Sequence, residues 1–352
     1  MESERPSSRA IDVMLTVHPN EDTETSPRSD PQRVRRPTEE PLSTTDPNLP
    51  MIILDCMAAS GIEFAVLHDE AGVAVGSTMS DVDLVTARSP LEILSVIDDC
   101  LSSRDIHPIV SWQYDVDSSS LFFTDGSASE GAQLDLVYGS TGLGNYGLHG
   151  AAILENSEPG NRWMKASELH ELLYSIRKRH LKYQRDELDE LLAIAHKVPL
   201  GELTKGCQEI FSQGTASAMI ALLAGRSQGV GVAEWSRRGW RNAGRLAKRI
   251  RQPAGFWVAL QGEDSAPLGR QISGRFARLL PASGHGAWDG SIKGSVRSLK
   301  ELAAVRWRAG VFVTHGQAPR LTEPDLTLHA EDMALERAMG VIVDAMQRRL
   351  MS

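Results

Sequence analysis

Within residues 80–87, SDVDLVTA, two aspartates stand one residue apart in an otherwise apolar run. The run reads as a short buried strand, and side chains two apart on a strand project from the same face. Asp81 and Asp83 therefore point together, while Val82, Leu84 and Val85 help fill an interior. Two carboxylates this close repel each other, and burial makes both harder to ionise. A fold built around such a pair has to supply a divalent cation, a proton or a basic partner. It can also place the pair at a strand mouth, where water or a capping role serves both acids.

A third acid sits in a similar setting. Asp135, in AQLDLVYG, lies in another apolar strand, where an isolated carboxylate would be costly. Three carboxylates on adjacent strands can hold Mg²⁺ through oxygen ligands, with phosphate oxygens completing the shell. One of them can also orient or deprotonate an attacking hydroxyl in an in-line nucleotidyl transfer. On this reading Asp81, Asp83 and Asp135 are both the metal ligands and the catalytic residues.

The rest of the chain predicts four segments. Residues 1–47 are rich in Ser, Thr, Pro and charged residues and poor in large apolar ones, a composition that predicts disorder. Residues 48–165 read as helix, strand, strand, helix and three further strands. Ser89 stands as N-cap before Pro90, at the start of the second helix. Residues 166–251 are mainly helical, with one long helix expected from Ser167 to about Val198 and a basic stretch at the end. Residues 252–352 alternate strands and helices, which predicts a parallel sheet. The fold class is α/β.

Composition narrows the function. A net charge of −9 argues against a general nucleic-acid partner. No apolar run reaches the roughly 18–20 residues that span a bilayer. The N-terminus has no apolar core of a signal peptide. Three cysteines, Cys56, Cys100 and Cys207, are widely spaced and odd in number, which reads as unpaired thiols in a reducing, cytoplasmic compartment.

The stretch IEFAVLHDEAGVAVGSTMSDVDLVTA resembles the core of the DNA polymerase β-like nucleotidyltransferase superfamily: a strand, a small-residue turn opening a helix, then an acidic strand. It looks most similar to the nucleotidyltransferase-like proteins of bacterial surface-polysaccharide clusters. The resemblance covers residues 50–165. It implies a Mg²⁺-dependent transfer of a nucleotidyl group from a nucleoside triphosphate to a small-molecule or sugar-phosphate acceptor. It also assigns His68 and Asp69 to the nucleotide-binding turn, by spacing from Asp81, and groups Ser80 with them. The family's turn is Gly-Gly or Gly-Ser, and Asp69 puts a negative charge where phosphate would sit. Gly76 and Ser77 have the right chemistry but stand too near Asp81 for the usual helix between.

The stretch GFWVALQGEDSAPLGRQISGRFARLLP resembles the phosphate-binding strand, loop and helix of thymidylate kinase-like P-loop proteins. Gly262 and Asp264 match. Ser265 and Pro267 replace glycines, Leu268 replaces the lysine and Gly269 the Mg²⁺-binding hydroxyl. Proline lacks a donor and leucine cannot neutralise phosphate, so the shape is expected to survive without the chemistry. This damage favours an alternative function: a catalytically inactive binding or assembly protein built from degenerate nucleotide-binding modules. Two further signals are read as plain structure. GLGNYG, residues 142–147, is a glycine-rich loop and not a dinucleotide fingerprint. The Arg/Lys run from Arg237 to Arg251 is a solvated interdomain helix.

Overall fold

The structure is a computed structural model that describes residues 48–74, 81–138, 144, 146–226, 253–288, 292–316, 323–331 and 333–352. The segment 1–47, the positions Gly76, Ser77 and Ser80, part of the glycine loop, and the basic run lie outside these residues.

The acidic strand is the middle of a seven-stranded mixed sheet. Its strands are β1 (Phe64–Val66), β2 (Asp81–Thr86), β3 (Ile106–Asp115), β4 (Ser118–Asp125), β5 (Gly131–Tyr138), β6 (Glu158–Pro159) and β7 (Met164–Lys165). Their order across the sheet is β3-β4-β5-β2-β1-β7-β6. β2 runs antiparallel to β1 and parallel to β5. β2 is covered on both faces. Val82 and Leu84 join Leu134 and Leu136 of β5 in a core with helices α1 (Leu49–Ala59) and α3 (Pro90–Ser102). Val85 and Val137 face a second core built with Leu173, Tyr174 and Leu203. Burial on both faces is what a near-continuous apolar strand encodes. Helix α3 begins as its sequence predicts: the Ser89 amide donates to Glu92 Oε2 at 2.7 Å, one arm of a capping box. A short helix α2 (Glu70–Ala74) opens directly after the His68–Asp69 turn.

The middle segment supplies α4 (Gly150–Glu155), α5 (Glu168–Lys182), α6 (Arg185–Ala195), α7 (Leu200–Ile210) and α8 (Gln213–Leu223). Ser167 caps α5 by accepting from the His170 amide. The single long helix expected here is two. Tyr183 turns left-handed at φ 57°, and the Gln184 amide reaches back to the Arg179 carbonyl at 3.1 Å. No glycine or proline marks this break, because the packing of α6 back on α5 imposes it.

The last segment forms a second, wholly parallel sheet from β8 (Phe256–Gln261), β9 (Gly284–Trp288), β10 (Val311–Gly316) and β11 (Leu326–His329), in the order β11-β8-β10-β9. Helices α9 (Ser265–Leu279), α10 (Ile292–Trp307) and α11 (Leu335–Met351) belong to it. The chain is thus α/β. β9, read from GHGAW, has weak strand propensity and forms because β10 offers it a full parallel ladder. The second sheet does not stand apart from the first. Ile109, Val110 and Phe122 share one core with Val258, Ile272 and Met339. Among the described residues no helix is long and apolar enough to cross a membrane.

The cysteine reading needs correction. Cys56 of α1 and Cys100 of α3 form a disulfide, and Cys207 is the buried free thiol. The two helices lie side by side on one face of the first sheet, which brings together cysteines 44 residues apart. Sequence spacing carries no trace of that proximity. The argument from unpaired thiols to a reducing, cytoplasmic compartment therefore loses its ground. Thiol titration of the denatured, unreduced protein should find one reactive cysteine, and all three after reduction. Cys56→Ala/Cys100→Ala should lower unfolding free energy by about 2–4 kcal/mol in urea denaturation.

Candidate functional site

Parallel pairing of β2 with β5 sets Asp83 directly beside Asp135, and Asp81 beside Gln133. By strand alternation Asp81, Asp83 and Asp135 share the face that carries Val85 and Val137, so the three acids do converge on one side of the sheet. That face is roofed by α5, which delivers a residue the sequence reading did not single out. Lys178 Nζ donates to Asp83 Oδ2 in direct contact. Both residues are buried, Asp83 at 3% and Lys178 at 5% exposure. His68 Nε2 meets the same oxygen at 2.9 Å and lies 3.3 Å from Lys178 Nζ.

The electrostatics follow from these contacts. Burial pushes the Asp83 carboxyl up. The His68 hydrogen bond and the Lys178 charge overcome it and hold Asp83 well below the ordinary carboxylate range. Burial likewise opposes a charged His68, yet the hydrogen bond and charge of Asp83 raise its pKa above the usual imidazole value. Asp135 goes the other way: burial first, then the Asp83 charge, push its carboxyl up. Its Oδ1 accepts from Ser120 Oγ at 2.6 Å and from Gln133 Nε2 at 2.8 Å. Tyr114, Tyr146 and Tyr174 stand near the acids, and each phenol is pushed up, by burial first and by the Asp83 charge among the further causes. They stay neutral. Tyr174 is fully buried, with its ring 5.9 Å from Lys178 Nζ.

The turn assigned to the nucleotide is also used by the protein itself. His68 is turned onto Asp83. Asp69, at φ 52°, caps α2: its Oδ1 accepts from the Gly72 amide at 3.2 Å and its carbonyl from the Val73 amide at 3.1 Å. The Asp69 amide donates to Glu171 Oε1 of α5 at 3.1 Å. A phosphate approaching this turn meets a carboxylate already seated on the amide it would want. Ser80 lies outside the described residues.

These arrangements decide the fit of magnesium. A magnesium centre on three carboxylates needs their oxygens free to face one ion. Asp83 Oδ2 is engaged by both Lys178 and His68, and Asp135 Oδ1 by two side-chain donors. Among the described residues no group of three or more Asp, Glu, His or Cys is arranged to hold a metal. The residues as placed do not fit a magnesium centre.

The stretch read as a P-loop-like strand, loop and helix does form a strand, a turn and a helix. β8 ends at Gln261, Gly262 takes φ +101°, and α9 starts at Ser265. A Cβ at Gly262 would lie 3.0 Å from Glu331 Cγ, so an acidic side chain stands beside the exposed glycine. Leu268 is buried in the core. Gly269 packs under His285, whose Nε2 bonds His315 Nδ1 at 3.1 Å; a Cβ there would sit 2.9 Å from that ring.

Lys178 was within reach of the sequence. His170, Tyr174 and Lys178 recur every four residues on α5, so a polar stripe rides on the face that also buries Leu173 and Ile176. The partner strand, however, is 95 residues away. No protein-family model matches the chain, and no curated protein is significantly similar to it.

Two measurements probe this centre. Removing one member of a buried ion pair strands the other, so Lys178→Met should destabilise the protein by about 3–5 kcal/mol, and Lys178→Met/Asp83→Asn by less than Lys178→Met alone. Because the His68 pKa is raised on folding, its stabilisation is complete below the unfolded value of about 6.5. It is lost as pH rises through the folded value. The stability difference between the protein and His68→Gln should shrink over that rise; urea titrations at stepped pH measure it.

Proposed function

We propose that this chain is a binding or assembly protein built on two nucleotide-handling scaffolds whose ligand-binding groups have turned inward, in preference to a magnesium-dependent nucleotidyltransferase. The observation that carries this reading is the buried Lys178 ammonium on Asp83, with His68 on the same oxygen. An enzyme of the resembled kind would keep that carboxylate open for a metal-bound triphosphate. Here it is neutralised by the protein's own side chain.

Three further features support the reading. The Asp69 carboxylate occupies the amide-rich start of α2. Asp135 already accepts from Ser120 and Gln133 through Oδ1, so that oxygen is occupied by the protein's own donors. At the second module Glu331 stands beside the loop glycine, Leu268 offers no charge, and His285 lies against Gly269. What survives in both modules is shape, which serves to present surfaces to a partner.

Isothermal titration with Mg²⁺ and each nucleoside triphosphate should give no saturable heat, and a coupled assay should detect no pyrophosphate release. Asp81→Asn, in which any residual metal site is disabled, should restore whatever defect loss of the gene produces. Pyrophosphate release that vanishes in Asp81→Asn would overturn the proposal, as would a folded Asp81→Asn protein that fails to complement.

A further inference from the structure

A cavity of about 730 Å³ lies where the edge strand β3 passes the end of α11 and the start of β8. That size falls within the roughly 300–1,000 Å³ of small-molecule sites, which favour junctions between packed units. Its walls differ in chemistry. Cross-strand register puts Ser111 and Gln113 of β3, Ser119 of β4 and Tyr138 of β5 on one face of the first sheet. This wall carries hydroxyls and an amide. The second module contributes Ala254, Phe256, Met346 and Leu350, a wall of apolar side chains. Leu91 of α3, 57% exposed, extends the apolar lining to solvent.

The polar wall has a proton to spare. Ser119 Oγ and Tyr138 Oη lie 3.1 Å apart, and either can donate. Two hydroxyls hold two protons, and their mutual bond uses one. Ser119 is only 1% exposed, a depth at which an unused donor is costly. Charge narrows the occupant further. Arg349 is the one charged side chain among the described lining residues, and its charge is already matched. Its Nη1 lies 3.3 Å from Asp325 Oδ2 and donates to the Gly255 carbonyl at 3.0 Å. Its Nη2 donates to the Pro253 carbonyl, and the guanidinium stands 5.5 Å from the centre of the Phe256 ring. An anion would compete with Asp325, and a cation would meet no carboxylate side chain among the described lining residues.

We propose that this cavity binds a neutral amphipathic small molecule, its apolar body against Phe256, Met346 and Leu350 and a hydroxyl or carbonyl on the Ser119–Tyr138 pair. The site is separate from the acidic centre. Ser119 and Tyr138 lie on the face of the sheet opposite Asp83 and Asp135. The proposal therefore stands or falls independently of the reading of Lys178 and Asp83.

The test uses the full chain and prodan, a neutral naphthalene dye with one carbonyl whose emission shifts to the blue in apolar surroundings. Prodan should bind saturably, one molecule per chain. Naphthol should displace it at a concentration about two- to tenfold lower than methylnaphthalene, the worth of one net hydrogen bond. Naphthoate should compete less well than naphthol. Ser119→Ala/Tyr138→Phe should erase the gap between naphthol and methylnaphthalene. Leu350→Trp, which fills the cavity, should weaken prodan binding by about tenfold or more through lost apolar contact. If Leu350→Trp does not fold, Ser111→Phe fills the same space from the polar wall. Prodan emission that does not saturate overturns the proposal. So do undiminished binding in a folded filling variant, naphthoate outcompeting naphthol, and a naphthol preference that survives Ser119→Ala/Tyr138→Phe.

Discussion

The buried contact between Lys178 and Asp83 is the constraint around which the first module is organised. An ionised carboxylate at 3% exposure cannot persist without a partner, since its desolvation would otherwise drive it to take up a proton. The partner comes from α5, so the acid on β2 dictates where the helical segment docks. The same oxygen also holds His68, and Asp135 is left as the more easily protonated of the two adjacent acids. One ion pair thereby sets the helix position, the direction of the turn and the charge state of the wall.

A shared pattern links the two modules. In each, the turn between a strand and the helix that follows it is contacted by the protein's own acidic or imidazole side chains. Asp69 caps the short helix after the first turn; Glu331 stands beside Gly262 of the second, and His285 lies against Gly269 of the helix that follows it.

The modules are joined through packing. Phe122 and Val110 of the first sheet sit in the same core as Ile272 and Met339 of the second module, and α11 runs against β3. The disulfide between α1 and α3 ties the opposite face. A division of the chain at residues 165 and 251, drawn from changes in sequence pattern, marks where local periodicity changes and not where cores end.

The amino-acid sequence by itself determined the elements whose signals are local. The β2 and β5 strands, the capped start of α3, the N-cap of α5 and the β8–α9 strand–loop–helix all follow from periodicity and capping chemistry a few residues long. The three aspartates were legible too, because a strand two residues per repeat puts Asp81 and Asp83 on one face in any fold. Tertiary structure decided what stands opposite them. The Lys178 partner, the Cys56–Cys100 bond, the left-handed break at Tyr183 and the strand at GHGAW each depend on residues or surfaces remote along the chain. Charge neutralisation and disulfide formation act through space, and one sequence read along its length carries no record of which distant side chain will arrive within three ångströms.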